Sequence, residues 1–138
     1  MNVKKWLLAG LLSFVVLCGL SYLWFMVLMQ GFYETNFANL MAEDPNVMII
    51  GIGYLILTFG MAYMYPHGYK GGSPIMEGLR FGVLIGILAY LSQNVILSEA
   101  QDFTLKAGLV DSVYHIVEKG IGGIVIGLVY GTGAAKAS

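Results

Sequence analysis

Charge is scarce in this 138-residue chain: Asp, Glu, Lys and Arg together make up 11% of it, against 58% hydrophobic residues. That leaves too little polar surface to coat a water-soluble domain. The formal net charge of −1 offers nothing to a polyanion, so nucleic acid is not an expected partner. Cysteine is limited to Cys18, which excludes an internal disulfide and any paired-cysteine motif. Leu17 before it is too large for a lipoprotein cleavage site, and a buried, inert thiol is expected. A nucleophile elbow, a phosphate loop and a zinc signature are also missing. No enzyme activity and no cofactor are therefore expected.

The chain is filled instead by four apolar runs, at about residues 6–29, 47–65, 79–98 and 109–130. Each is near the ~20 residues that cross a hydrocarbon core. The fold class expected is all-α: a polytopic membrane protein whose four transmembrane helices form one bundle, with residues 1–138 as a single membrane domain and the lipid bilayer as its surroundings. The first run follows Lys4 and Lys5 but is far longer than a signal-peptide core of ~7–15 residues, so an uncleaved helix is expected.

Lys4, Lys5, Lys70, Arg80 and Lys136 fall at the amino terminus, the second connection or the carboxyl terminus. The first connection carries only Glu34, Glu43 and Asp44, and the third Glu99, Asp102 and Lys106. The positive-inside rule then puts both termini in the cytoplasm and the chain in the inner (plasma) membrane. Aromatic residues mark the two surfaces: Trp6, Tyr63, Tyr65, Tyr69 and Tyr130 the inner one, and Tyr22, Trp24, Phe32, Tyr33 and Tyr114 the outer. Phe32, Tyr33, Phe37, Leu40 and Met41 recur at helical spacing, which predicts a short interfacial helix over about 32–42, with a loose external loop as the alternative.

An offset of 67 residues pairs Phe14, Val16, Leu17 and Gly19 with Phe81, Val83, Leu84 and Gly86, and Gly53, Gly60 and Tyr63 with Gly120, Gly127 and Tyr130. A 2+2 duplication of this kind would relate the halves about an axis along the membrane normal. Two glycine ladders, Gly78, Gly82 and Gly86 in the third run and Gly123, Gly127 and Gly131 in the fourth, let backbones approach closely. Packing within one chain is the expected use, and a subunit interface the other.

The fourth run also holds Asp111, His115 and Glu118, spaced i, i+4 and i+7 on one helix face, with Lys119 beside them. Ionisable groups are costly at such depths and default to functional-site candidates. Gln93 and Asn94 of the third run lie at a similar depth to Asp111 and His115 and are the candidate hydrogen-bonding partners. Three functions fit the stripe: proton or cation transport, metal binding through His115 and Glu118, and haem ligation by His115. The structural alternative has Asp111 capping the last helix, Glu118 and Lys119 neutralising neighbours, and His115 bonding across the bundle. Glu77 and Arg80, at i and i+3, are expected to pair. His67 reads as a loop residue, and Met26, Met29, Met61 and Met64 as gap fillers.

The third helix "GLRFGVLIGILAYL" and the last helix "GLVDSVYHIVEKGIGGIVIGLVYG" resemble those of a family of small, uncharacterised four-helix bacterial inner-membrane proteins. The resemblance implies a four-helix fold and a bacterial inner membrane, and brings no catalytic residue or substrate. Two roles remain in view: a homo-oligomeric proton or cation transporter built on Glu118, or a non-catalytic accessory subunit docked through its glycine seams on a larger membrane complex.

Overall fold

A computed structural model describes residues 1–131 of the chain; the expectation built on Lys136 lies outside the described residues. Four helices are long and apolar enough to cross a membrane: α1 (Val3–Leu28), α3 (Val47–Gly68), α4 (Pro74–Ala100) and α5 (Leu105–Gly131). The short α2 (Gln30–Asn36) follows α1. The protein is all-helical among the described residues, as the apolar runs predict. Local chemistry sets where the helices begin. The side chains of Asn2 and Asn46 accept from the first-turn amides of α1 and α3, and Pro74 opens α4, where its missing N–H costs nothing. The Thr104 hydroxyl accepts from the Ala107 amide at the start of α5. These caps carry α4 and α5 a turn beyond the apolar runs, and α3 runs on through Pro66 to Gly68.

The interfacial segment is shorter than periodicity predicts. Its α-helix stops at Asn36, and a single 3-10 turn, Ala38–Leu40, follows Phe37. Tyr33 faces inward and is buried, whereas Leu40 and Met41 are exposed. Phe37 ends the helix by packing on Tyr33 and on Phe103 of the α4–α5 connection, at ring distances of 5.4 and 5.0 Å.

The bundle is organised around α5. In its apolar window 61% of residues are buried inside the protein, against 11–17% for the other three spans. One face of α5 meets α4 along the two glycine ladders. A Cβ on Gly82 would lie 1.9 Å from the carbonyl oxygen of Lys119, one on Gly78 2.2 Å from that of Gly123, and one on Gly127 2.2 Å from that of Pro74. The backbones are in direct contact, so the seams lie within one chain. Lipid is as apolar as leucine, and such close approach supplies the dispersion that the hydrophobic effect cannot.

A second face of α5 meets α1, where Leu17 is fully buried against Gly122 and the Ser13 hydroxyl donates to the Gly122 carbonyl at 3.3 Å. Helix α3 leans on α1, with the Phe59 ring over Gly10 and the Trp6 indole N–H on the Phe59 carbonyl at 3.0 Å. Ala9, Met61, Ala62, Tyr65, Ile126 and Val129 form the apolar core at this end. Lys5 Nζ reaches the Tyr130 carbonyl at 2.9 Å, so the start of α1 and the end of α5 lie at the same face of the bundle. Helices α3 and α4 touch only thinly, which leaves a gap in the ring of helices.

Candidate functional site

Glu118 lies thirteen residues from either end of α5, hence at mid-bundle. It is 1% exposed and Lys119 beside it is fully buried. Neither carboxylate nor ammonium survives such burial without partners, and both have them. Oε1 of Glu118 accepts from the Ser21 hydroxyl of α1 at 2.9 Å and from the Tyr54 hydroxyl of α3 at 3.1 Å. Oε2 holds the Lys119 ammonium and lies 3.0 Å from His115 Nδ1. Lys119 Nζ also sits 4.4 Å from the centre of the Tyr90 ring of α4, a cation–π contact strengthened by the absence of water.

From this knot a line of polar groups runs to the end of the bundle where α2 lies. His115 Nε2 is 3.6 Å from Asp111 Oδ1, beyond hydrogen-bond range, and its ring stacks on Tyr90 at 4.0 Å. Asp111 accepts from the Tyr33 hydroxyl of α2 at 2.6 Å and from the Asn94 amide of α4 at 2.8 Å. The Trp24 indole N–H donates to the Tyr33 hydroxyl at 2.8 Å. Tyr33 is pushed up from the ordinary phenol range, first by burial and then by its bond to Asp111; it stays a donor. Exposure falls along the line, from 14% of the Asp111 side chain to 11% for His115 and zero for Glu118.

Below Glu118 the polar line stops. Leu17 and Gly122 pack across the interior, followed by Met61 and Ile126, all buried. The arrangement is a polar half and a dry half. Two carboxylates, Asp111 and Glu118, face a single ammonium, Lys119. With His115 neutral the cluster is one proton short of neutrality, and the imidazole stands between the two carboxylates.

Asp111, His115, Glu118, Lys119 and Asn94 thus come together as the sequence predicts, but Gln93 does not. One residue is about 100° of helix, and Gln93 is exposed on the outside of α4 while Asn94 faces Asp111. Asp111 is not a helix cap either, because α5 begins six residues earlier at Leu105. Glu77 and Arg80 do not pair: among the described residues the ion pairs within 4 Å are His115–Asp111, His115–Glu118 and Lys119–Glu118.

The metal and haem readings fit poorly. Lys119 occupies the carboxylate face that a cation would need, both ring nitrogens of His115 face carboxylates, and no group of three or more metal-ligating side chains occurs among the described residues. Ser21, Tyr54, Tyr90 and Ser112, which accepts from the Asn94 amide at 3.0 Å, belong to the site and carry weak sequence signals. Ser21 is a lone hydroxyl in an apolar run, and the two tyrosines sit at mid-span, away from the interfacial belts where that residue concentrates.

A protein-family model described as "Predicted membrane protein (DUF2177)" matches residues 6–128. No curated protein and no solved structure matches the chain.

Proposed function

The chain belongs to the DUF2177 family of predicted membrane proteins, and from that premise we propose that it carries protons between one membrane surface and the bilayer centre along Asp111, His115 and Glu118. The observation that supports this reading is the charge count of the cluster. Three neighbouring groups, Asp111, His115 and Glu118, can each hold the one proton that neutrality demands, and they stand in line. A net charge is expensive in hydrocarbon, so the cluster favours keeping one proton among these neighbouring groups.

The link that must shorten for a transfer is the 3.6 Å between His115 and Asp111. A tilt of the imidazole about its bond to Glu118 supplies that change. Helix α2 positions the outer end through Tyr33, and Lys119 offsets the charge of Glu118 when the proton leaves. On this reading both termini are cytoplasmic, the relay opens to the external side of an inner membrane, and the chain is a carrier and not an enzyme. One chain supplies every group of the line, so the relay does not depend on a homo-oligomer.

The test is the transient charge movement driven by a pH jump outside liposomes holding the purified protein, read electrically on a solid-supported membrane, because protons enter the polar half as far as Glu118 and are not passed through the dry half. Folded Glu118→Gln and Asp111→Asn variants should fall to the level of protein-free liposomes. Charge movement equal to wild type in either variant would refute the relay.

A second reading is favoured by the burial of Glu118 and Lys119, 1% and 0% exposed: an accessory subunit in which the charged knot only locks α1, α3, α4 and α5 together. Wild-type protein that moves no protons would support it. The glycine seams cannot serve as its docking surface, because they are filled by contacts between α4 and α5.

A further inference from the structure

At the α2 end of the bundle a pocket of about 340 Å³ lies between the end of α2 with its 3-10 turn and the connection 101–104 that joins α4 to α5. Thr35, Asn36, Asn39, Asp102, Phe103 and Thr104 line it. Its volume is within the ~300–1,000 Å³ of small-molecule sites. Both walls connect membrane spans, so the pocket sits at head-group level and not in the hydrocarbon. None of its residues belongs to the Asp111–Lys119 cluster, and the site does not depend on the relay.

The hydrogen bonds around the pocket spend donors and leave acceptors. The Thr35 hydroxyl gives its proton to the Gly31 carbonyl at 2.8 Å, and the Asn36 amide donates to the Phe32 carbonyl at 2.9 Å. The Asn39 amide donates to Oδ2 of Asp102, which leaves Oδ1 for a ligand. Thr104 differs: its oxygen accepts from the Ala107 amide at 3.2 Å, so its proton is free to be donated. Charge at this end is of one sign. Glu34, Glu43, Asp44, Glu99 and Asp102 stand against Lys106, all of them exposed, a field that attracts a cation and repels an anion.

An apolar track leads from the pocket into the bilayer. Among the described residues of α5 the exposed positions are Leu105, Lys106, Leu109, Val113, Val117 and Leu128. Leu105, Leu109, Val113 and Val117 are four apart and share one face. That stripe starts beside Thr104 and descends about 18 Å at 1.5 Å per residue, roughly the depth of one leaflet. Neighbouring helices cover most of the remainder of α5, so the stripe is where an acyl chain reaches it.

Acceptors at Asp102, a donor at Thr104 and an apolar stripe below them follow the order of ammonium, phosphate and chain in one kind of lipid. We propose that the pocket binds a phospholipid with a primary-ammonium (ethanolamine) head group. The ammonium donates to Asp102 and to the side-chain oxygens of Asn36 and Asn39, a phosphate oxygen accepts from Thr104, and one chain lies along Leu105, Leu109, Val113 and Val117. Three N–H donors meet three acceptors, one of them charged. A choline head group has no N–H to give, and a phosphatidylglycerol head group brings net negative charge to an acidic rim.

The experiment places the full chain in nanodiscs holding equal parts of dioleoyl phosphatidylcholine, phosphatidylglycerol and either phosphatidylethanolamine, its N-methyl or its N,N-dimethyl form. Native mass spectrometry then reads the lipid retained. Phosphatidylethanolamine should be retained over phosphatidylcholine by about ten- to hundredfold, the worth of a hydrogen bond to a charged group, and retention should fall with each added methyl. Asp102→Asn, at an exposed position, should return the ratio to that of the bilayer. Phosphatidylethanolamine with a diazirine in its acyl tail should label segment 109–117. Equal retention across the methyl series, preferential retention of phosphatidylglycerol, or an ethanolamine preference that survives Asp102→Asn would overturn the proposal. The methyl series uses the unaltered protein, so it decides the matter independently of how the variant folds.

Discussion

Neutralising Glu118 and Lys119 one at a time should cost far more than neutralising both. In Glu118→Gln the ammonium of Lys119 keeps His115 Nδ1 at 3.5 Å and the rings of Tyr90 at 4.4 Å and Tyr54 at 5.7 Å, with no counter-charge in contact. Breaking a buried pair from one side costs about 3–5 kcal/mol, and this variant belongs at the upper end. In Lys119→Met the carboxylate of Glu118 still has Ser21 at 2.9 Å, Tyr54 at 3.1 Å and His115 at 3.0 Å, which places that variant at the lower end. The double variant Glu118→Gln/Lys119→Met buries no unpaired charge, keeps an amide oxygen for Ser21 and Tyr54, and should cost about 2 kcal/mol or less, since apolar replacement of a buried pair is often neutral. Equilibrium unfolding in mixed micelles, followed by circular dichroism, closes the cycle. Additivity, with the double as unstable as the two singles summed, would mean that the pair is not a unit and would refute the reasoning.

Two further outcomes follow from the geometry. Gly82→Ala puts a methyl 1.9 Å from a backbone carbonyl that cannot swing away, so α4 and α5 must part. A loss of about 1–3 kcal/mol or more is expected, whereas Gly19→Ala, with open space around it, should be neutral or slightly stabilising; thermal melts in detergent compare them. Tyr33→Phe removes a bond to a carboxylate and should cost about 1.5–3 kcal/mol near neutrality. Because the Tyr33 phenol is raised in the fold, its contribution is complete below the unfolded phenol value of about 10 and erodes as pH climbs above it. The gap between wild type and Tyr33→Phe should therefore narrow with alkaline pH, and a gap that widens would contradict the assignment.

The four spans were legible because apolar length is nearly the only requirement that a bilayer makes of a helix. The packing of the two glycine ladders inside one chain was legible for a related reason, though not that they meet each other: Gly78, Gly82 and Gly86 repeat every four residues, as do Gly123, Gly127 and Gly131, and each series makes one smooth face. Asp111, His115, Glu118 and Lys119 share one helix, so spacing alone groups them. What spacing could not give is what lies opposite. Ser21, Tyr54 and Tyr90 come from three other helices, and their meeting at α5 is set by tertiary packing. Gln93 and Asn94 show the limit most clearly: two amides side by side in sequence, one bonded to Asp111 and the other facing outward. The interfacial helix ended early because Phe37 is captured by Phe103, a partner 66 positions away that periodicity does not see.

The placement of Glu118 at the midpoint of α5 has an electrical consequence. A proton that reaches it from either surface has crossed about half of the membrane potential. The full drop is worth ~2.3 kcal/mol per charge at 100 mV, so the energy of loading this residue shifts by about 1.2 kcal/mol, or about sevenfold in occupancy. If the polar half opens outward, as proposed, a membrane negative inside would draw protons toward Glu118 and hold them there against the dry half, making the occupancy of one carboxylate a readout of voltage as well as of acidity.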